Sequence, residues 1–213
     1  CSEWKIDLIE DAAESLGSTF KGKHLGTFGL LGITSFNGNK IITSGAGGMI
    51  FCSSEDLKKE LKHVTTTSKV EHKYRFKHDR LGYNYRMPNI NAALGYSQLD
   101  RLDFYLSKKR ELANRYANFF EDTDINFFRE PKNARSNYWL NTIICNDIRE
   151  RDSILNTTND NGVMTRPAWD QMNKLPYLED NISESLINTS YLIERIVNLP
   201  SNPTFDNFED IKT

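Results

Sequence analysis

The feature that most constrains the fold is a pair of apolar, strand-like runs separated by a glycine-rich stretch. The runs cover residues 30–36 and 49–52, and Lys40 lies between them, just before the glycines of positions 45–48. Ligands collect at strand ends in open α/β sheets, and glycines there allow close backbone approach or a positive φ. Taken alone, the pattern fits an ordinary turn with a solvated lysine equally well.

A second segment, residues 6–18, resembles a short strand that ends in an acidic residue. Small residues follow, and they predict the start of a helix. On such a helix Asp11 and Glu14 would share one face, because they lie three residues apart. The segment therefore predicts two carboxylates near the end of a strand.

Composition excludes several classes of function. The chain has 213 residues, of which 38% are hydrophobic, enough for one good core or two modest domains. Its net charge of -2 comes from mixed charges, so no nucleic-acid surface is expected. No apolar run approaches the roughly 20 residues that span a bilayer, so no membrane segment is expected.

The cysteines and histidines show no pattern of a site. Cys1, Cys52 and Cys145 lack Cys-x-x-Cys spacing, which is typical of a reducing cytoplasm. The four histidines show no metal-ligand spacing. We therefore predict a cytoplasmic protein without a metal site.

The order of the elements predicts an α/β fold. Buried parallel strands are expected from Ile6, Leu31 and Met49, and a helix is expected over residues 55–64. Pro88 is well placed as the first residue of the next helix.

A smaller second domain is expected after the first long helices. A strand over residues 138–145 and a helix over residues 149–161 are predicted there, and Ser183 is a candidate N-cap of the last helix. The predicted domains are residues 1–106 and 107–213.

Several motifs together resemble one enzyme family. They are residues 6–18, Ser35 with Lys40, and the segments 82–95, 138–141 and 198–201. In this order they resemble the sugar aminotransferases of the DegT/StrS type, fold-type I enzymes that use pyridoxal 5′-phosphate (PLP). They look most like the enzymes of the legionaminic acid and bacillosamine pathways. The resemblance implies part of the fold-type I large domain, followed by a smaller α+β C-terminal domain.

The resemblance implies roles for five residues. Lys40 would be the amine that links to PLP and moves protons, and Asp11 would pair with the pyridine nitrogen. Ser35 would bind the cofactor phosphate, and Asn84 would reach the phosphate of the neighbouring subunit. Glu14 would lie near the phenolic oxygen, where the family usually has glutamine or histidine. The alternatives are a helix cap for Asp11 and a strand serine satisfied by backbone for Ser35.

Four further residues are candidates for substrate binding. His72 and His78 lie in a basic, aromatic stretch that suits a nucleotide diphosphate, although a solvated loop fits it as well. Arg166 and Trp169 resemble a segment that lines the sugar pocket, although Trp169 could equally belong to the core.

The function implied is transfer of an amino group, from glutamate, to C4 of a nucleotide-linked 4-keto-6-deoxy-N-acetylhexosamine for glycan synthesis. The enzyme would be a homodimer with shared sites. One alternative is a sugar dehydratase of the same family, in which histidine replaces the lysine, so Lys40 argues against it. Another is an incomplete family member that folds or dimerises without cofactor.

The beginning of the chain also carries an expectation. Cys1 leads directly into the first strand, and the resemblance places much of the large domain before it. The phosphate-binding helix start and the ring-stacking residue would lie in that part. The chain is thus expected to be a C-terminal portion that binds PLP weakly or not at all by itself. The alternative is a small domain that starts naturally at Cys1.

Overall fold

The computed structural model describes residues 1–178 and 184–203 and divides them into two compact units. The first unit contains Cys1–Leu106 and Pro131–Trp139, and the second contains Ser107–Glu130 and the described residues from Leu140 onward. The segment Pro131–Trp139, which the sequence analysis assigns to the smaller domain, therefore packs within the first unit.

The described residues form short strands and five α-helices. In chain order, the strands are β1 Ile9–Asp11, β2 Thr19–Phe20, β3 Lys23–His24, β4 Leu31–Ser35, β5 Gly48–Cys52, β6 Lys69–Val70, β7 Lys77–His78, β8 Asn126–Phe127, β9 Ala134–Arg135, β10 Asn141–Ile144, β11 Arg166–Pro167 and β12 Ile196–Leu199. The α-helices are α1 Glu55–Thr65, α2 Asn89–Leu99, α3 Leu102–Phe119, α4 Ile148–Asp160 and α5 Ile187–Ile193.

The central sheet of the first unit has the order β1-β4-β5. Strands β1 and β4 run parallel, with Asp11 opposite Ile33. Strands β4 and β5 run antiparallel, with Ser35 opposite Gly48. The loop that carries Lys40 therefore joins two adjacent strands of one sheet.

The expectation that these strands are buried is wrong for this chain. Ile9 is 57% exposed, Met49 is 48% exposed and Ile33 is 41% exposed. In the described residues this sheet has three strands, so two of them are edges. A buried parallel sheet requires neighbouring strands and a cover on both faces.

The helix expected after Asp11 does not form. Two successive turns replace it, closed by hydrogen bonds from Ser15 N to Ala12 O at 3.0 Å and from Ser18 N to Ser15 O at 2.8 Å. Gly17 adopts a φ of 84°, which ends any helical path before β2 begins. Glu14 is therefore placed by turns and not by a shared helix face.

The predicted helices of the first unit are largely confirmed. Helix α1 begins after Ser54, whose side chain accepts a hydrogen bond from Leu57 N at 3.2 Å. Pro88 is the N-cap of α2 and not its first residue. Between α1 and α2, the basic, aromatic stretch for which a solvated loop was the alternative forms the β6–β7 hairpin. Asp79, just after β7, contacts His63 Nε2 at 2.8 Å.

The second unit contains an antiparallel sheet of order β11-β12-β10-β8. Ile143 and Val197 are almost fully buried on its central strands. Helix α3 packs against it, since the Tyr116 ring stacks on Phe127 at 6.3 Å. The strand expected from residue 138 begins only at Asn141. Ser183 lies outside the described residues.

Two kinds of feature are absent from the described residues. None of the helices they form is long and apolar enough to cross a membrane. They also contain no group of three or more His, Cys, Asp or Glu side chains arranged to hold a metal ion.

Glu10 fastens the loop between β3 and β4 to β1. Its carboxylate accepts backbone N–H groups from Gly26 at 2.8 Å, Phe28 at 2.6 Å and Gly29 at 2.7 Å. Burial raises the pKa of this carboxyl, but the three hydrogen bonds and the charge of Lys23 outweigh it and leave the pKa below its ordinary value of 4.5. Glu10 is thus a structural anion next to Asp11.

We predict that Glu10→Gln lowers the free energy of unfolding at pH 7 by about 1 kcal/mol, because an amide offers one uncharged acceptor oxygen to three donors. The folded pKa lies below 4.5, so the carboxylate's contribution is complete above that pH and is lost as the pH falls through the folded pKa. Urea unfolding at several pH values measures the difference, with Glu3→Gln as the exposed control. A difference that does not shrink in acid would contradict the assignment.

Lys109 is a buried cation in the second unit. It is 8% exposed, and its Nζ donates a hydrogen bond to the carbonyl oxygen of Ser201 at 2.8 Å. Burial lowers the pKa of the Lys109 ammonium to about 8. The side chain therefore links α3 to the segment that follows β12.

We predict that Lys109→Met removes a pH dependence of stability between pH 8 and 10.5. In that window the unfolded chain holds the proton and the folded chain releases it, so stability rises with pH. The rise attributable to Lys109 is about 3 kcal/mol. Denaturation measured from pH 7.5 to 10.5 tests this, with Lys108→Met, on the same helix, as control. If the free energy of unfolding rises equally with pH in Lys109→Met and in the wild type, the prediction is wrong.

Candidate active site

Two candidate residues lie at the same edge of the central sheet. Asp11 is the last residue of β1 and Ser35 is the last residue of β4. Because the two strands are parallel, their carboxyl ends meet at one edge. The Asp11 Oδ1 accepts Ala13 N at 3.1 Å, and the Ser35 Oγ accepts Asn37 N at 3.2 Å. The Ser35 hydroxyl keeps its own proton for donation, because accepting a bond uses only a lone pair.

Lys40 lies in the loop that leaves this edge. The loop is closed at its base by hydrogen bonds from Phe36 N to Gly47 O at 2.9 Å and from Ser44 N to Phe36 O at 3.0 Å. The Lys40 side chain is only 12% exposed, and its Nζ lies 3.3 Å from Glu14 Oε1. A solvated turn lysine is therefore the wrong description. The structure brings Lys40 and Glu14 together as an ion pair.

Trp139 adds a contact to Lys40 that the sequence analysis did not assign. The Lys40 Nζ lies 4.1 Å from the centroid of the Trp139 ring. The indole Nε1–H donates to the carbonyl oxygen of Asn39 at 2.7 Å. The available signal was a tryptophan within a recognised motif, but nothing in the sequence placed it beside a loop 100 residues earlier.

Asn137 is a second residue that sequence reasoning missed. Its Nδ2 donates to the carbonyl oxygens of Glu14 at 2.7 Å and Leu16 at 3.0 Å. Its backbone N–H donates to Ser18 Oγ at 2.9 Å. A buried asparagine thus holds the turns that carry Glu14.

These groups fit PLP chemically. A shielded amine from Lys40 suits the aldehyde, the Asp11 carboxylate suits a protonated ring nitrogen, and the Ser35 hydroxyl suits a phosphate oxygen. All three belong to the first unit. The roles of Asp11, Glu14, Ser35 and Lys40 nevertheless stay predictions.

Asn84 lies in the segment between β7 and α2. It is exposed and pairs through an isolated bridge with Thr66. It lines a groove of about 760 Å³ together with residues of β4, β5 and α1. The neighbouring rings of Tyr83 and Tyr85 stack at 5.2 Å. A role for Asn84 in a second subunit stays a prediction.

The two histidine candidates lie on or beside the exposed β6–β7 hairpin. The Nδ1 of His72 accepts Tyr74 N at 3.2 Å and Arg75 N at 3.0 Å. The Nδ1 of His78 is hydrogen-bonded to the carbonyl oxygen of Thr67 at 2.7 Å. The hairpin is an ordered element and not a featureless loop.

Arg166 and Trp169 belong to the second unit. Arg166 lies in β11, and its Nη2 contacts Met164 Sδ at 3.1 Å. Trp169 is 68% exposed, so the alternative of a core tryptophan is wrong for this chain. Their part in a sugar pocket stays a prediction.

Three known proteins are similar to this chain over nearly its whole length. GDP-perosamine synthase of Escherichia coli O157:H7 is 36% identical over 200 residues, which are 94% of this chain and 54% of that protein. PseC of Helicobacter pylori, an aminotransferase involved in the biosynthesis of pseudoaminic acid, has a TM-score of 0.91 at 21% identity, over 100% of this chain and 58% of its own. The PLP form of the putative sugar aminotransferase Spr1654 from Streptococcus pneumoniae has a TM-score of 0.85 at 21% identity. The match covers 97% of this chain and 55% of that protein.

The chain spans about half the length of these proteins. The two solved structures confirm the predicted fold class, α/β with part of a fold-type I large domain. The profile of the DegT/DnrJ/EryC1/StrS aminotransferase family matches residues 1–212, and PLP is the cofactor of this family. The chain therefore belongs to the DegT/DnrJ/EryC1/StrS aminotransferase family.

Proposed function

We propose that the protein is a PLP-dependent aminotransferase that delivers an amino group to C4 of a nucleotide-linked 4-keto-6-deoxy sugar for glycan synthesis. The observation that carries this proposal is the shielded Lys40 amine, 3.3 Å from Glu14 Oε1 and beside the edge where β1 and β4 end. An amine that is kept from water suits covalent attachment and proton transfer, and the carboxylate beside it holds the amine in place when it is charged.

Each residue has a defined task in this proposal. PLP, when bound, supplies an electron sink next to the reacting carbon. Lys40 Nζ would carry a proton between that carbon and C4′ of PLP, acting first as base and then as acid. Asp11 keeps a proton on the ring nitrogen, Ser35 donates to the phosphate, and Glu14 holds the ammonium of Lys40 when it is charged.

The substrate class follows from the relatives and from the basic hairpin. One relative is named for a GDP-linked sugar and others for a UDP-linked N-acetyl sugar, so a nucleotide diphosphate is the shared feature. His72 and His78 are candidates to contact it. Arg166 and Trp169 are candidates for the sugar, an N-acetylhexosamine in our proposal, and glutamate is the proposed amino donor.

We further propose a cytoplasmic homodimer. The three cysteines are free, as in a reducing compartment. Asn84 is exposed on a groove whose lining includes the apolar Ile50 and Met87 and the charged Arg86. In the dimer, Asn84 would donate to the cofactor phosphate of the neighbouring subunit.

We predict that borohydride reduction of the complete protein with PLP leaves a pyridoxyl adduct on Lys40. Mass spectrometry of the digested protein locates it. Lys40→Ala should carry no adduct and should lose at least about a thousandfold in turnover, because no other group replaces its amine. Lys59→Ala, at an exposed position of α1, is the control and should keep both the adduct on Lys40 and the wild-type turnover. An adduct elsewhere, or near-normal turnover of Lys40→Ala, would overturn the proposal.

We predict that two inactive variants restore activity when their subunits are mixed. A Lys40→Ala subunit and an Asn84→Ala subunit together form one site with both native residues and one with neither. Activity should return to about a quarter of the wild-type value at equal mixing, since half of the dimers are mixed and each has one intact site. Native mass spectrometry verifies subunit exchange. No recovery despite exchange would contradict a shared site.

A further inference from the structure

We propose that Trp139 is a positioning residue for the Lys40 amine, and that Asn137 and Tyr138 set its orientation. This proposal rests on the proposed function, because it gives Trp139 a task only if Lys40 performs the chemistry. The three residues belong to the segment Pro131–Trp139, which packs within the first unit despite its distance along the chain from Lys40.

The indole face forms one wall around the amine. The Lys40 Nζ lies 4.1 Å from the centroid of the Trp139 ring. The same nitrogen lies 3.3 Å from Glu14 Oε1. An ammonium is attracted to the negative face of an aromatic ring, and tryptophan attracts it best. Trp139 itself is 9% exposed, so the contact is screened little by water. The amine is thus held by a carboxylate and by an aromatic face.

The ring is oriented by two hydrogen bonds. Its Nε1–H donates to Asn39 O at 2.7 Å, on the residue just before Lys40. The backbone N–H of Trp139 donates to Asn137 Oδ1 at 2.9 Å. The indole is therefore tied both to the lysine loop and to its own segment.

The backbone of Tyr138 directs Trp139 towards the lysine loop. Tyr138 has a φ of 46°, in the left-handed region that bulky residues seldom adopt. Such strain persists only where the surroundings over-determine it, and it concentrates at functional sites. The backbone N–H of Tyr138 donates to Ser136 Oγ at 3.0 Å, which supports the bend.

Asn137 positions the other partner of the amine. Its Nδ2 donates to Glu14 O at 2.7 Å, so the same short segment holds the Glu14 turn and the Trp139 ring. The backbone of Glu14 and the ring of Trp139 are thereby fixed relative to each other. A displacement of about 1 Å at a reacting atom can cost about a hundredfold in rate, so this fixation bears directly on turnover.

The first test is spectroscopic and needs no turnover. Reductive methylation with ¹³C-formaldehyde labels the lysine amines of the protein without PLP and keeps their charge. Methyl groups over an indole face resonate upfield through the ring current, and Lys40→Arg identifies the Lys40 signal by its disappearance. In Trp139→Leu the signal should move to the position of exposed lysines. Trp4→Leu, the same change at a 76% exposed tryptophan, should leave it unchanged.

The second test uses the complete protein with PLP. Trp139→Leu should lower kcat about ten- to a hundredfold and leave the KM for the nucleotide sugar within about twofold, because the amine and not the sugar site is disturbed. Trp139→Phe keeps an aromatic face without the Nε1 donor, and it should recover most of the lost activity. Trp4→Leu should match the wild type.

The outcomes separate the two proposals. A folded Trp139→Leu variant with wild-type kcat, or with an unmoved Lys40 signal, overturns the positioning role, while an adduct on Lys40 leaves the proposed function intact. If Trp139→Leu does not fold, Trp139→Phe decides: a Lys40 signal at the position of exposed lysines together with a wild-type kcat overturns the positioning role, and an upfield signal with most of the activity supports it. If the wild-type adduct is absent from Lys40, the proposed function falls and the positioning role falls with it.

Discussion

The parallel pairing of β1 with β4 is the constraint on which the candidate site depends. It brings the last residue of each strand, Asp11 and Ser35, to one edge of the sheet. The antiparallel return of β5 then forces the intervening loop to fold back at that edge, and Lys40 lies in this loop. Strand direction thus brings two of these groups to one end of the sheet and starts the loop of the third from the same end.

The two neighbouring acidic residues of β1 have different roles, because successive residues of a strand point to opposite faces of the sheet. Glu10 points to the face where it accepts three backbone N–H groups and holds the loop between β3 and β4. Asp11, one residue later, points to the other face, which the groove also occupies through Ile33 and Ile50. One carboxylate is used for structure and the next remains available for chemistry.

The sequence predicted the elements that depend on neighbouring residues. The apolar runs around Lys40 became β4 and β5, and the amphipathic stretch after Ser54 became α1. The helix expected after Asp11 is absent, because two hydrogen-bonded turns occupy the residues that would form it. Gly17, with a φ of 84°, also ends the helical path there. The roles of Asn137 and Trp139 were not predictable from local pattern, since each depends on contacts about 100 residues or more away in the chain.

The sheet face that carries Asp11 is apolar and open in this chain. Ile9, Ile33 and Ile50 are 57%, 41% and 40% exposed on it. Water on such a face weakens the attraction between a carboxylate and a protonated ring, since charges interact less strongly in a high dielectric. Any element that covers these side chains would remove apolar surface from water and strengthen the electrostatic interactions of Asp11 at the same time. Stability of the sheet and strength of the candidate site are therefore coupled through the same face.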